Sequence, residues 1–187
     1  MKELTKGTAV VGTLALRSVG GEANAGFGAA LQIYEADIDV LSAGEKDTGV
    51  DLPKKGVVLF AWVEVRTKED TAGTKTIDVG LKASETGGDT DGFLDGISTS
   101  AVGEIQPSIT VSSTGATNYI SARTWGVLLS QGIDGSNAAN RPGIRHYRPH
   151  ELNGTARSIV YQLGSTHTEL EGRIKLLVLN LDRDGIG

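Results

Sequence analysis

The chain has 187 residues and a mass of 19.5 kDa, which suffices for one domain with a substantial core. It contains no cysteine, and this excludes disulfide scaffolds, thiolate zinc sites, iron–sulfur clusters and cysteine nucleophiles. The net charge of −5 argues against broad nucleic-acid binding. The sequence has no run of 18 apolar residues, so it predicts no membrane-spanning segment. With 26 glycines and 39% hydrophobic residues, the composition predicts a globular chain with many turns.

The first thirty residues differ from the rest of the chain. They are rich in Gly, Ala and Thr and show no sustained hydrophobic periodicity, so we predict an extended N-terminal arm over 1–30 and a single β-sandwich domain over 31–187. The stretch Leu31–Leu41 combines helical spacing with strand-like alternation. The turn residues Ser42–Gly44 and the lack of helix caps favour a strand there.

The strongest strand pattern is Val57–Thr67, which follows the turn Pro53–Gly56. Its alternation is expected to place Val57, Leu59, Ala61, Val63 and Val65 on one face, and Val58, Phe60 and Trp62 at the start of the other. We therefore predict a central strand whose first half is buried on both faces, with Phe60 and Trp62 in the core. Lys75–Leu81 also alternates, and we expect it to form a β-hairpin with Val57–Thr67.

Several later segments complete an all-β pattern. The further strand candidates are Gly96–Val102, Ile105–Val111, Asn118–Leu129, Arg157–Leu163 and Arg173–Leu181. The last is nearly apolar on both faces, which predicts a buried strand in the middle of a sheet. Short strands separated by Gly, Asp and Thr turns indicate a sandwich or barrel, and we predict an all-β, antiparallel β-sandwich of jelly-roll-like type.

The segment 87–96 is rich in glycine and aspartate. Asp89, Asp91 and Asp95 carry hard oxygen ligands of the kind that Ca²⁺ prefers, so they are a candidate structural calcium site. The spacing does not match an EF-hand. The alternative is a tight turn in which aspartate side chains cap their own backbone, and the pattern favours that alternative. We predict no other cofactor.

A basic segment lies at 141–150 in an otherwise acidic chain. Its candidate partner-binding residues are Arg141, Arg145, His146, Tyr147 and Arg148. Pro149 disfavours the helix that would place the histidines at positions 146 and 150 together on a metal. The open interpretations are an exposed loop that pairs with an acidic surface of a partner subunit, a solvated loop, and an anion-binding or nucleic-acid loop.

Sequence motifs for catalysis are not found. The chain lacks a Gly-x-Ser-x-Gly elbow, a phosphate-binding loop and a His-Glu-x-x-His motif, so we expect no enzymatic activity. His167 has no adjacent nucleophile in sequence and is predicted to lie in a hairpin turn. Asn153-Gly154 is likewise predicted to be a turn.

The arrangement of strand and turn residues resembles a group of tailed-bacteriophage virion structural proteins, including small β-sandwich capsid decoration (cement) proteins. The likeness is carried by Val50–Leu59, Trp62–Val65, Gly73–Leu81 and Gly88–Asp95. It implies a non-enzymatic protein that binds the assembled major capsid protein on the outer surface of the virion. It also implies a homotrimer made in the cytoplasm of the host bacterium, with no direct contact to nucleic acid or membrane.

A different class of function is also open. A β-sandwich can serve as a carbohydrate-binding or adhesive module of a phage tail or fibre, which usually needs exposed aromatic side chains. The chain has nine aromatic residues, and Trp125 and Tyr147 are the two that we expect to be accessible as platforms.

Overall fold

In a computed structural model of the chain, the residues that the structure describes are 14–15, 30–70, 72–107, 109–114, 117–132 and 145–181. Within these ranges the chain forms fourteen β-strands, one short 3-10 turn at Val127–Leu129 and no α-helix. The strands are β1 (Leu14–Ala15), β2 (Ala30–Asp37), β3 (Gly44–Asp51), β4 (Gly56–Thr67), β5 (Thr76–Leu81), β6 (Leu94–Ser98), β7 (Gly103–Ile105), β8 (Ile109–Thr114), β9 (Thr117–Arg123), β10 (Ser130–Gly132), β11 (Arg145–Tyr147), β12 (His150–Leu152), β13 (Ser158–Leu163) and β14 (Glu171–Asn180).

Two antiparallel sheets pack against each other. The six-stranded sheet has the order β1-β2-β14-β4-β12, and β7 also pairs with β4. The four-stranded sheet has the order β3-β13-β5-β6. Two smaller ribbons, β8-β9 and β10-β11, lie outside these sheets. The predicted all-β sandwich is therefore confirmed, and no helix in the described ranges is long and apolar enough to cross a membrane.

The strand order is that of a jelly roll. When the arm strand, β7 and the two ribbons are set aside, eight strands remain, from β2 to β14. Counted in chain order, the first, eighth, third and sixth of these strands lie side by side in one sheet, as β2, β14, β4 and β12. The second, seventh, fourth and fifth lie side by side in the other, as β3, β13, β5 and β6. Because chain neighbours repeatedly change sheet, this order arises from two Greek keys, which is the jelly-roll arrangement.

The core lies between the two sheets. The six-stranded sheet contributes, among others, Val58, Ala61, Val63, Ile174, Leu176 and Val178, and the four-stranded sheet contributes Ile77, Val79, Ile97, Ile159, Tyr161 and Leu163. These side chains alternate along each strand with outward-facing ones, as the two-residue repeat of a strand requires. The expected strand at Leu31–Leu41 is confirmed as β2, and the expected mid-sheet strand is confirmed as β14, between β2 and β4.

A β-bulge changes the alternation within β4. Leu177 of β14 lies opposite Phe60, and the next residue, Val178, lies opposite Val58, so Leu59 is the extra residue. The expected set of inward-facing residues is correct for the second half of the strand, where Ala61, Val63 and Val65 are buried. It is wrong for the first half, where Val58 is buried and Val57 and Leu59 are not.

The expected hairpin of β4 with β5 is also wrong. β4 belongs to the six-stranded sheet and pairs with β14, whereas β5 belongs to the four-stranded sheet and pairs with β13 and β6. Sequence alternation identified both strands but did not determine their partners. The segment between them therefore crosses from one layer of the sandwich to the other.

The loop 88–92 folds over the outer face of the four-stranded sheet. Asp89 O accepts hydrogen bonds from Leu81 N (2.8 Å) and Gly92 N (3.1 Å), which fixes the loop on β5. A Cβ atom at Gly80 would overlap the Asp89 carbonyl oxygen, and one at Gly126 would overlap the backbone of Asp91 and Gly92. Glycine at these two positions therefore permits the close approach of three backbone segments.

The substitution Gly80→Ala tests this packing. Because the added methyl group would push the loop away from the sheet, we expect the free energy of unfolding to fall by about 3 kcal/mol, measured by denaturant titration. Ser84→Ala, at an exposed turn position in the same connection, is the matched control and should change it by less than about 0.5 kcal/mol. Equal stability of the two variants would contradict the close packing.

Candidate functional site

The candidate functional surface is the outer face of the six-stranded sheet, where side chains are aligned in regular rows. The strand registers align its side chains in rows across β2, β14 and β4. These rows are Leu31–Leu179–Val57, Ile33–Leu177–Phe60, Glu35–Lys175–Trp62 and Asp37–Arg173–Glu64. Directly opposite residues of an antiparallel pair lie on the same face, so each row is a line of neighbours. The face therefore has an apolar half and a charged half.

The apolar half consists of the first two rows. Its six side chains, namely Leu31, Leu179, Val57, Ile33, Leu177 and Phe60, are all partly exposed, and none of them belongs to the core between the sheets. The outer face of the four-stranded sheet differs, because Val160 on that face is fully buried. Two adjacent rows of partly exposed apolar side chains on an outer sheet face make this half a candidate surface for binding another molecule.

The charged half contains two clusters of ion pairs, one around Arg173 and one around Lys175. Arg173 donates to Asp37 (2.7 Å) and to Glu35 (3.3 Å), while Lys175 bridges Glu64 (2.9 Å) and Glu104 of β7 (2.8 Å). Hydrogen bonds from Arg66 and Lys175 lower the pKa of Glu64 to about 2. Although partial burial opposes its charge, hydrogen bonds to Glu104 and Glu64 raise the pKa of Lys175. These groups therefore keep their charges throughout the neutral pH range.

Four aromatic rings form a chain that begins in these rows, at Phe60 and Trp62, and continues outside them. Phe60 lies 6.0 Å from Trp62 and 6.0 Å from Trp125, and Trp125 lies 4.6 Å from Tyr147, measured between ring centroids. Trp125 and Tyr147 come from the long connection between β6 and β12, so the contacts tie this connection to β4. The prediction that Phe60 and Trp62 are core residues is wrong, because the bulge turns both of them outward.

The predicted basic segment is only partly described. Arg141 lies outside the described residues, and for Arg145 and His146 the structure describes the backbone, in β11, but not the side chains. Tyr147 and Arg148 are exposed, and Arg148 N donates to Leu129 O (3.0 Å). Of the five predicted partner-binding residues, Tyr147 is the one whose described side chain joins the aromatic chain.

The aspartates of the candidate calcium site lie on or beside the loop that covers β5. In the described ranges, no group of three or more His, Asp or Glu side chains is arranged to hold a metal ion. The tight turn favoured by the sequence is present, with Gly92 N donating to Asp89 O (3.1 Å) and the Asp89 carboxyl group accepting from the backbone of Asp91. Calcium binding by Asp89, Asp91 and Asp95 stays a prediction.

The loop concentrates negative charge. A hydrogen bond with the neighbouring carboxyl group of Asp91 raises the pKa of Asp89 to about 6, and partial burial adds to the shift. Burial likewise raises the pKa of Asp78 on the adjacent strand, against a hydrogen bond from Gly96 N (2.7 Å). The ionised loop is therefore electrostatically strained at neutral pH.

His167 belongs to a buried polar cluster and not to a hairpin turn. It lies between β13 and β14, which belong to different sheets, and its exposed fraction is 2%. Its Nδ1 donates to Ser165 O (2.8 Å), so in the neutral ring Nε2 accepts from the Thr99 hydroxyl (3.0 Å). Nearby, the buried Glu69 accepts from Thr168 N (2.7 Å). These bonds fasten three connections at one end of the sandwich, and sequence motifs gave no signal for them.

Comparisons with known proteins identify no relative. No protein-family model matches the chain, and no curated protein or solved structure is significantly similar to it.

Asp89→Asn tests the strain in the acidic loop. The folded chain binds the Asp89 proton more tightly than the unfolded chain does, so the free energy of unfolding should fall as pH rises from 3.8 to about 6. At pH 7 the variant should be more stable than the parent by about 1 kcal/mol, a value reduced for solvent screening. Chemical denaturation at pH 4 and pH 7 measures both quantities.

Asp70→Asn is the matched control, because Asp70 is an exposed carboxylate paired with Lys68. It should keep the pH dependence of the parent. If Asp89→Asn also retains that dependence, folding does not raise the pKa of Asp89.

Proposed function

We propose that the chain is a non-enzymatic virion structural protein that binds assembled capsid subunits and stabilises a phage head. The observation that supports this proposal is the apolar half of the outer sheet face, six partly exposed side chains held in two rows. Removing 100 Å² of apolar surface from water gives about 2.5 kcal/mol of hydrophobic free energy, part of which offsets the cost of association. The backbone of the sheet is already ordered, so binding adds little loss of backbone entropy.

The charged half supports a docking role of the same face. Its ion pairs are formed within the chain, between neighbouring strands, and are therefore already oriented before a partner arrives. Charges at the rim of an interface fix the orientation of the partner more than they raise affinity. Contact with several subunits of a shell at once would then turn modest interfaces into durable attachment.

The fold is compatible with this function. Jelly-roll domains occur in viral capsids and in lectins, so the fold by itself favours neither class and supports the proposal only by analogy. The resemblance of segments 50–96 to phage decoration proteins favours the capsid. The partner is then the major capsid protein, the assembly a homotrimer, and the location the outer surface of the virion, after synthesis in the bacterial cytoplasm.

Leu177→Glu tests the docking face. Leu177 is the middle residue of the second row, and a carboxylate there would have to lose its hydration when the face is covered. We expect at least tenfold weaker binding to preformed empty capsids of the parent phage, measured by co-sedimentation. Binding of the unaltered chain to unassembled capsid subunits should be much weaker than binding to capsids.

Ser84→Glu is the control, because it adds the same charge at an exposed turn after β5 of the other sheet. It should bind capsids as the parent does, and circular dichroism should show that both variants are folded. Unchanged capsid binding by Leu177→Glu would contradict the proposed face. Catalytic turnover by the purified chain would contradict the proposed class.

The aromatic chain favours a second candidate function, a carbohydrate-binding module of a tail or fibre. Tyr147 is 43% exposed. Its ring packs at 74° to the ring of Trp125, which is partly buried against the core. Aromatic faces bind the apolar faces of sugars, and the ionised Glu64 and Lys175 near Trp62 offer hydrogen-bonding groups.

A glycan array separates the two functions. A decoration protein should bind no glycan, whereas an adhesive module should bind at least one. In the second case Tyr147→Ala should weaken binding at least tenfold, because it removes the exposed ring. Val127→Ala removes a 47% exposed aliphatic side chain and no ring, so it should leave binding unchanged.

A further inference from the structure

The strand β12 attaches the end of a long connection to the sandwich. It has three residues, lies at the edge of the six-stranded sheet and pairs with β4. His150 lies opposite Val58 and Leu152 opposite Gly56, so these two side chains of β12 face the core, while Glu151 is exposed. Three residues form few backbone hydrogen bonds, so the packing of the two inward side chains contributes much of what holds this strand in place.

The imidazole of His150 packs against apolar side chains from both sides of the sandwich. Its ring centroid lies 5.9 Å from that of Phe93, at an interplanar angle of 64°, and Val58 is its neighbour across the strand pair. Phe93 and Val58 are fully buried, and His150 is half-buried. A neutral imidazole is stable in such surroundings, whereas an imidazolium loses part of its hydration there.

The charges that act on this ring come from its own segment. Burial lowers the pKa of His150 from its ordinary value of 6.5, and the positive charge of Arg148 lowers it further. The negative charge of Glu151 opposes both effects but does not cancel them. The folded chain therefore holds the ring in its neutral form at neutral pH.

The two elements packed against the ring add no counter-charge among the residues that the structure describes. β4 contributes the apolar segment Gly56–Val58 opposite β12. On the other side, Phe93 is flanked in the chain by Asp91 and Asp95, which are both exposed to solvent. A proton on the ring is therefore not compensated from either element.

We propose that His150 is a pH-sensitive switch, whose neutral ring holds β12 on the core and whose protonation in mildly acidic solution releases β12 and the adjoining end of the connection. The open form takes up the proton at a higher pH than the closed form, so opening becomes more favourable as the pH falls below 6.5. Tyr147, whose ring contacts Trp125, lies three residues before His150 and moves with this segment. The switch does not depend on the capsid function proposed above.

Titration of the imidazole in the unaltered chain is the first test. The chain contains three histidines, and NMR can assign the ring signal of His150 through its backbone resonances. We expect the titration midpoint of His150 to lie below 6.5. A midpoint at or above 6.5 would overturn the proposal, because the folded chain would then not disfavour the charged ring.

Hydrogen exchange at pH 7 and pH 5, corrected for the intrinsic pH dependence of exchange, tests the release itself. Every chain compared carries Asp89→Asn, so that titration of the acidic loop does not contribute. In this reference chain we expect the protection of residues 147–152 to fall at least about threefold at pH 5, while the protection of β14 changes less. Unchanged protection of residues 147–152 would contradict the switch.

His150→Phe in the same background is the matched control, because it keeps an aromatic ring against Phe93 and cannot take up a proton. Its residues 147–152 should be protected equally at pH 7 and pH 5. A loss as large as that of the reference chain would overturn the assignment to His150. If the variant does not fold, the imidazole titration decides the question, and neither experiment involves capsids, so a failed switch leaves the proposed function untouched.

Discussion

The extra residue at Leu59 of β4 determines which side chains the following part of that strand contributes to the outer face. If β4 alternated without interruption after Val58, Phe60 and Trp62 would point into the core, and Val63 and Val65 would point outward. The bulge at Leu59 reverses this assignment for the rest of the strand. As a result, small branched side chains fill the space between the sheets, and two large rings lie on the surface, where the connection between β6 and β12 can reach them.

The two outer faces of the sandwich have different chemistry as a consequence. The four-stranded sheet carries its own loop, whose backbone approaches Gly80 so closely that a side chain there would overlap it. The outer face of the six-stranded sheet instead presents an apolar half next to the ion pairs of Arg173 and of Lys175. Apolar surface next to oriented charges is the arrangement found in interfaces with an apolar centre and a polar rim. This asymmetry is the reason for proposing the outer face of the six-stranded sheet as the docking side.

The sequence predicted those features that depend on local pattern. β14 was predicted as a mid-sheet strand because it is apolar on both faces, and the turns rich in glycine and aspartate were recognised from their composition. Partners between strands were not predicted, since β4 and β5 are neighbours in sequence but belong to different layers. The bulge was missed because Val57–Trp62 is apolar at every position, so a one-residue shift leaves no trace in the alternation. The buried position of His167 depends on contacts with Thr99, far away in sequence.

The most direct measurement of the central claim is hydroxyl-radical footprinting of the chain, free and bound to empty capsids. If the outer face of the six-stranded sheet is the docking side, oxidation of Ile33, Phe60 and Leu177 should fall sharply on binding. Val40 and Val102, which are 41% and 61% exposed elsewhere on the surface, should be oxidised as before. Protection of Val40 and Val102 with no change at the three row residues would contradict the account.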